Sequence, residues 1–476
     1  MFYQNVSRYA LATHLALAAA LPAALTQFVS SSALSQVMLW TSLSAWIWMF
    51  AEPSVRRGET VSRAVSRLFS EIVHDPFSWF LGFMVLFAFV CHLNSGIALA
   101  YDAEKTVWAV KSPAAEFLPA SAGDAAFLPL GLAVAVATVI LGVKHALGKN
   151  ARVWFGLCAG AVSATGAIAA VACAGYGAES FKAVAMSGFG SASFAGSMYA
   201  LFLPIAMACG IEAEERGMSG ARLFFAWSVA GNAAGAFMFL PGILGIAYLL
   251  LSVVVAAIAF AFVKRRSGAA ATARAASMLL FGVVLSALSV VLPPYAEIQK
   301  AKVAGLNPEV AFTAELADRN AALNRISQAM WMEHPWSGVG AGAFKLNTPF
   351  FADKEEWAVL PPEPDCGSNA YFTLIAERGI AGALVLALVV GFFVWNWAFG
   401  LWGSFRKFSE TDESYPWFFS VSPVVWAGPL VMLATAADAW FSNGFTGTAL
   451  ALCAASAMAL SAASFPGVKR KKATKD

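Results

Sequence analysis

The chain repeats long apolar runs, each close to or beyond the roughly 17 to 25 residues that carry a helix across the hydrocarbon core of a bilayer. Twelve such runs fall at about residues 9–29, 36–52, 77–100, 126–143, 153–174, 194–211, 223–240, 243–263, 275–292, 370–399, 417–440 and 444–463. Charged side chains make up 12% of the chain, about half of the roughly 25% usual in soluble domains. A transmembrane barrel would show short alternating segments instead. The sequence therefore predicts an all-α, polytopic membrane protein of about twelve transmembrane helices, with one long loop between the ninth and tenth. The first run follows a start whose only basic side chain is Arg8. An Ala-rich AAALPAALT imitates a cleavage site. A second run follows at once, so the first is read as a span and not as a cleaved signal.

Orientation comes from the basic side chains. With the N-terminus inside, 21 of the 31 Lys and Arg fall on the inner side, among them Arg8, Arg56, Arg57, Arg67, Lys144 and the tail KRKKATKD. Nine fall outside, six of them in the long loop, and Arg378 lies in the tenth span. Inner loops of membrane proteins carry this excess, so both termini are expected in the cytoplasm. The tail reads as an anchor beside anionic lipid, not as a nucleic-acid site. The chain divides into spans 1–292, a loop subdomain 293–369, spans 370–463 and a basic tail 464–476.

The long loop is the one segment large enough for a small subdomain. From about Pro308 to Glu333 it reads as a helix, because Phe312, Leu316, Leu323, Ile326 and Met330 recur at helical spacing. Arg319 falls on the same stripe, either snorkelling from a packed face or offering a cation to an anionic ligand. Next comes HPWSGVGAGAF, His334 to Phe344. No Lys-Ser or Lys-Thr closes it, so it is not a nucleotide loop. Its glycines permit tight turns, and a nest of N–H groups there would suit a phosphate. His334 is a base near neutral pH or simply a helix end. PFFADKEEWAVLPPEPDCG then follows without periodicity, in the manner of a cover over a site. Cys366 stands alone in the loop, which excludes a disulfide within it, and no cysteine–histidine cluster has metal-ligand spacing. Glu377 and Arg378 near the start of the tenth span are costly in lipid and must face protein, water or each other. Asp438 sits near an interface. The scarcity of charge within the spans argues against an ion-coupled transporter.

Taken together, the order of spans, the glycine loop and SNAYFTLIAERGIAG resemble the superfamily of O-antigen ligases, O-antigen polymerases and bacterial O-oligosaccharyltransferases. The residues that carry the resemblance are Glu333, His334, Pro335, Gly338, Val339, Gly340, Gly342 and Phe344, then Asn369, Glu377, Gly379 and Gly382. SGFGSASFAGSMYALFLP, Ser187 to Pro204, is similar to the family's stretch ahead of the sixth span.

The resemblance implies an enzyme of the bacterial inner membrane. It would move a glycan from an undecaprenyl diphosphate carrier to a glycan, lipid or protein acceptor, beside membrane lipids and polysaccharide-assembly proteins. It implies no cofactor and no metal, because the lipid diphosphate is the leaving group. Such a site needs cations for the diphosphate and a base for the acceptor. Arg319, Arg325 and His334 are the candidates, with Gly338, Gly340, Gly342, Ser368, Asn369, Glu377 and Arg378 expected along the substrate. Two departures stand out. Ser368 occupies the place of the family's histidine, and FMFLPGILG lacks the arginine that many members carry at the outer surface. Two rival readings stay open: a transporter or flippase for a lipid-linked glycan, and a non-catalytic partner in envelope assembly.

Overall fold

The computed structural model describes residues 2–25, 29–102, 106–111, 115, 118–122, 127–148, 150–160, 192–215, 217–239, 314–360, 366–409, 421–422, 424–441 and 448–465. Its elements are α1 (Phe2–Leu25), α2 (Ser31–Arg57), α3 (Val61–Val73), α4 (Pro76–Leu93), β1 (Ala98–Asp102), β2 (Val107–Lys111), α5 (Phe127–Leu141, extended by a π turn Gly142–Ala146), α6 (Ala192–Glu215), α7 (Ser219–Phe239), α8 (Ala314–Glu333), α9 (Phe344–Phe351), α10 (Lys354–Trp357), α11 (Ala370–Ser409), α12 (Val424–Phe441) and α13 (Thr448–Ala463).

Four helices among the described residues are long and apolar enough to cross a membrane: Pro76–Leu93, Phe127–Ala146, Gly196–Ala213 and Ala370–Arg406. They cover the expected third, fourth, sixth and tenth spans. α1, α2 and α7 cover the first, second and seventh without being among those four, and α12 and α13 carry shorter apolar stretches. The eighth and ninth expected spans, most of the fifth, and the family-like stretch Ser187–Ser191 lie outside the described residues.

The bundle has a centre and a rim. In Gly196–Ala213 of α6, 94% of residues are buried, against 28% in Pro76–Leu93 and in Ala370–Arg406. α6 therefore sits among its neighbours α7, α12 and α13, while α4 and α11 turn long apolar faces outward. Trp79, Phe83, Leu86, Leu388, Trp395, Phe399 and Trp402 are all exposed there. An apolar surface that extensive belongs against lipid or another protein. On their inner side α4 and α11 are joined by stacked rings, Phe80 on Phe392 at 3.5 Å between centroids.

Two local rules set the ends of α4. Asp75 caps α4, its carboxylate accepting from the Phe77 N–H at 3.3 Å with Pro76 in the first turn, as helix starts favour. At the far end Asn94 stops α4. Its side chain donates to the carbonyls of Ala115, Leu118 and Pro119 and accepts from the Ala115 N–H at 3.2 Å.

That turn corrects one expectation. The third span does not run to residue 100, because the helix ends at Leu93. The all-α class holds, with one small addition among the described residues: Ala98–Asp102 pairs antiparallel with Val107–Lys111 in a hairpin. Tyr101 and Trp108 face each other across it at 5.5 Å and are exposed.

The two ends of the bundle differ in chemistry. One end gathers Arg8, Arg56, Arg57, α3, Asp75, Lys144 and His145. The other carries Asn94, the hairpin, residues 118–122, the glycine loop, α8 and the start of α11.

Candidate functional site

At the second end, α8 forms as its apolar spacing requires. Leu323, Ile326 and Met330 are buried with Val339, Phe344 and Ala376 in a small core separate from the main one. Pro308–Thr313, including Phe312, lies outside the described residues, so the described helix starts at Ala314. The covering segment is also more ordered than its sequence suggested. It folds into α9 and α10, with an Asp353–Glu356 capping box starting the latter, while Pro361–Asp365 lies outside the described residues.

The glycine loop meets α11 at a break. Gly379 adopts φ 58°, ψ −159° in the middle of that helix. In an unbroken helix the amides of 380 and 381 would bond to the carbonyls of 376 and 377. Here those four groups turn to the loop instead. Val339 N–H donates to the Ala376 carbonyl at 2.8 Å and Gly340 N–H to the Glu377 carbonyl at 2.9 Å. Ile380 N–H donates to the Pro335 carbonyl and Ala381 N–H to the Trp336 carbonyl, both at 3.0 Å. The loop is thus a backbone clasp that supplies the hydrogen bonds missing from a transmembrane-length helix, as buried backbone demands.

The clasp explains two of the glycines. A Cβ on Gly338 (φ 68°) would lie 2.4 Å from the Glu377 carbonyl carbon, and one on Gly379 would lie 2.4 Å from the Trp336 carbonyl oxygen. Neither backbone tolerates a side chain. The loop also binds residues 118–122: Ala341 N–H donates to the Ala120 carbonyl and Ala122 N–H to the Ala341 carbonyl, each at 2.9 Å. With the amides of 338, 339, 340 and 341 all bonded to carbonyls, Gly338 and Gly340 do not form a phosphate nest. Gly342 is exposed at the tip of the loop with φ 73°.

The other expected site residues fall into two groups. Asn369, Glu377 and Arg325 build the frame. Asn369 caps α11, accepting from the Tyr371 and Phe372 amides at 3.1 and 3.0 Å. Glu377 is buried, and its carboxylate accepts from the Phe344 N–H at 3.4 Å, where the start of α9 favours negative charge. Arg325 hydrogen-bonds Glu356 through both Nε and Nη2, donates to the Phe351 carbonyl at 2.8 Å and lies 3.4 Å from Asp353. The hydrogen bond from Arg325 holds the Glu356 carboxyl below the usual carboxylate range.

Arg319, His334, Ser368 and Arg378 form the second group. Arg319 and His334 are exposed, so Arg319 does not share the buried stripe of Leu323, Ile326 and Met330. Ser368 hydrogen-bonds Asn324 of α8, a partner that sequence spacing did not reveal. Arg378 is half-buried immediately before the break.

Arg325→Ala tests its framing role. The pair is about half exposed on the arginine side, so removal is expected to cost no more than about 1 kcal/mol. The measurable change is faster proteolytic cleavage around α9 and α10, and Arg325→Lys should restore part of the protection. Unchanged cleavage in Arg325→Ala would show that the tether does not hold this segment.

Comparison of the chain with family models, with curated proteins and with solved structures finds no match.

Proposed function

We propose that this chain is a polytopic, twelve-span transferase of the bacterial inner membrane, with both termini cytoplasmic and the clasp facing the periplasm. It moves a glycan from undecaprenyl diphosphate to a glycan, lipid or protein acceptor, and polymerisation onto another glycan is the preferred form. The observation that carries the reading is the clasp. The two segments on which the family resemblance rests, 333–344 and 369–382, are far apart in sequence yet share a continuous backbone interface. They meet at an end of the bundle where a break in a long apolar helix places Arg378.

The chemistry follows from the groups left accessible. An acceptor hydroxyl oxygen forms the new bond to the anomeric carbon. The bond from that carbon to the diphosphate breaks, and its electron pair leaves with the carrier. His334, exposed at the end of α8, takes the hydroxyl proton. Arg378 faces the growing charge on the diphosphate, whereas Arg319 lies fifteen residues along α8 from His334, roughly 22 Å away at 1.5 Å per residue, and takes no part in that step. Ser368 and Asn324 offer hydrogen bonds to the sugar.

The test is accumulation of carrier-linked glycan in cells lacking this chain. Wild type is expected to clear it, and Arg378→Gln at equal membrane abundance is expected to clear it at least about tenfold more slowly, the loss expected for a charged donor. Clearance by Arg378→Gln at the wild-type rate would remove Arg378 from the site. Absence of accumulation on deletion would defeat the transferase reading.

A further inference from the structure

The opposite end of the bundle holds a cavity of about 170 Å³ between α1, α2, α3 and the π turn of α5. Four arginines line it, Arg8, Arg56, Arg57 and Arg67, with His145 and a single acid, Glu52. That volume is several times the roughly 30 Å³ share of one water, and it gives room for a phosphoryl group. Glu52 is only 2% exposed and holds Arg56 at 2.5 Å and Arg8 at 3.7 Å. Just outside, Glu59 lies 3.3 Å from both Arg57 and Arg67, and Glu71 lies 3.5 Å from Arg67. Three carboxylates therefore face four guanidinium groups.

Charge is not the only quantity left over. Arg8 Nε, though 3.7 Å from the Glu52 carboxylate, and Arg67 Nε are buried without a hydrogen bond among the described residues, as is the Glu59 oxygen beside Arg67. Burying a guanidinium donor without an acceptor is unfavourable, and phosphate oxygens are the acceptors that arginine meets best.

We propose that this cavity binds a phosphate group, and that its source is an anionic lipid in the leaflet beside it. α3 points to the lipid. Ala64 and Leu68 turn inward, Leu68 and Arg67 line the cavity, and Val61, Phe69 and Val73 are exposed. A short amphipathic helix of that kind lies in a membrane interface, its apolar face among acyl chains and its basic side chains at headgroup level. The headgroup phosphate seats between Arg67 and Arg8, whose side chains are 34% and 33% exposed. The proposal rests on the reading that the bundle is membrane-embedded, and not on the transferase chemistry at the other end.

The test uses the full chain, purified in neutral detergent and analysed by native mass spectrometry after exposure to phosphatidylglycerol or phosphatidylcholine. Wild type is expected to retain phosphatidylglycerol. Arg8→Gln and Arg67→Gln are each expected to retain about fivefold less, the factor one cation contributes near an anionic surface. Arg63→Gln, on the same helix and outside the cavity lining, is expected to match wild type. Gly148→Val provides a variant that keeps every charge. A Cβ there already lies 3.0 Å from the Arg8 guanidinium carbon, so the larger side chain displaces Arg8 and should lower retention as Arg8→Gln does. A second arm adds inorganic phosphate to lipid-free protein and reads the thermal midpoint. Stabilisation by phosphate that Arg67→Gln abolishes, without selective lipid retention, would keep the phosphate site and overturn the lipid source. Equal retention by wild type and all variants, with no response to phosphate, would overturn the site. A chain that stays monodisperse without detergent would defeat the membrane reading separately.

Discussion

Gly379→Ala is expected to unfold the second end of the bundle and to remove most of the monodisperse protein. At φ 58°, ψ −159° the residue occupies backbone space that is essentially glycine's alone, and a side chain there costs about 1 to 3 kcal/mol. The new methyl also meets the Trp336 carbonyl oxygen at 2.4 Å, an overlap with rigid backbone that adds about 1 to 3 kcal/mol. The two together approach the lower limit of whole-protein stability, about 5 kcal/mol. Relief requires the loop to withdraw, and withdrawal exposes the four backbone groups at 376, 377, 380 and 381. The measurement is the thermal midpoint in detergent, read by intrinsic fluorescence and size exclusion. Gly391→Ala is the control on the same helix. Its Cβ would meet nothing within 4 Å, so the better helix former should stabilise by up to about 1 kcal/mol. A Gly379→Ala protein with the wild-type midpoint would show that the break is not required.

Asp75→Ala is expected to destabilise the opposite end by about 3 kcal/mol, the lower end of the penalty for stranding one member of a buried ion pair, since Lys144 and Asp75 keep 14% and 13% exposure. The Asp75 carboxylate receives Lys144 Nζ at 2.6 Å and His145 Nε2 at 3.1 Å while it caps α4. Without it the Lys144 ammonium is left 5.4 Å from the Phe77 ring centroid with its nearest acid gone. Asp75→Asn keeps the cap geometry and should lose less.

The same group predicts a pH dependence. Burial raises the Asp75 carboxyl, but the hydrogen bond from His145 and the charge of Lys144 outweigh it and hold the group well below the usual carboxylate range. A depressed folded value means that the unfolded chain binds the proton first. The stabilisation is therefore fully present above the ordinary aspartate value of about 3.9 and is lost as pH falls through the lower folded value. Acid titration of the thermal midpoint should show a steeper decline for wild type than for Asp75→Asn. Parallel curves would mean that Asp75 contributes no charge-dependent stability.

Much of the frame was legible in the amino-acid order, because helical spacing and length are local properties. Leu323, Ile326 and Met330 mark the buried face of α8, and the apolar runs mark α4, α5, α6 and α11. The hairpin was not legible. Ile97, Ala98, Leu99 and Ala100 continue the apolar composition of the third run, and a short apolar segment does not distinguish strand from helix. What separates them is Asn94, whose partners lie more than twenty residues on. The glycine loop could be located but not understood from spacing alone, since its partner is another stretch of backbone and backbone leaves no residue signature. The same limit hid the pairing of Arg325 with Glu356 and of Ser368 with Asn324. In the sequence the arginines of the cavity register only as a count on one side of a membrane. That sum does not reveal that four of them converge.

The break at Gly379 also orders the making of the protein. Synthesis runs from the N-terminus, and earlier segments settle first. Residues 94–97 and 118–122 emerge before the glycine loop, and the glycine loop before α11. Each layer of the clasp thus finds its template already in place. For α11 this has a consequence in the ribosome's time frame: in the folded chain two of its amides and two of its carbonyls bond to the loop, and in the proposed topology those partners lie across the bilayer. In that topology the loop is translocated before α11 settles into its folded form. Delaying export of residues 314–344, without changing any residue of α11, would therefore leave α11 as the segment surrendered to quality-control proteases.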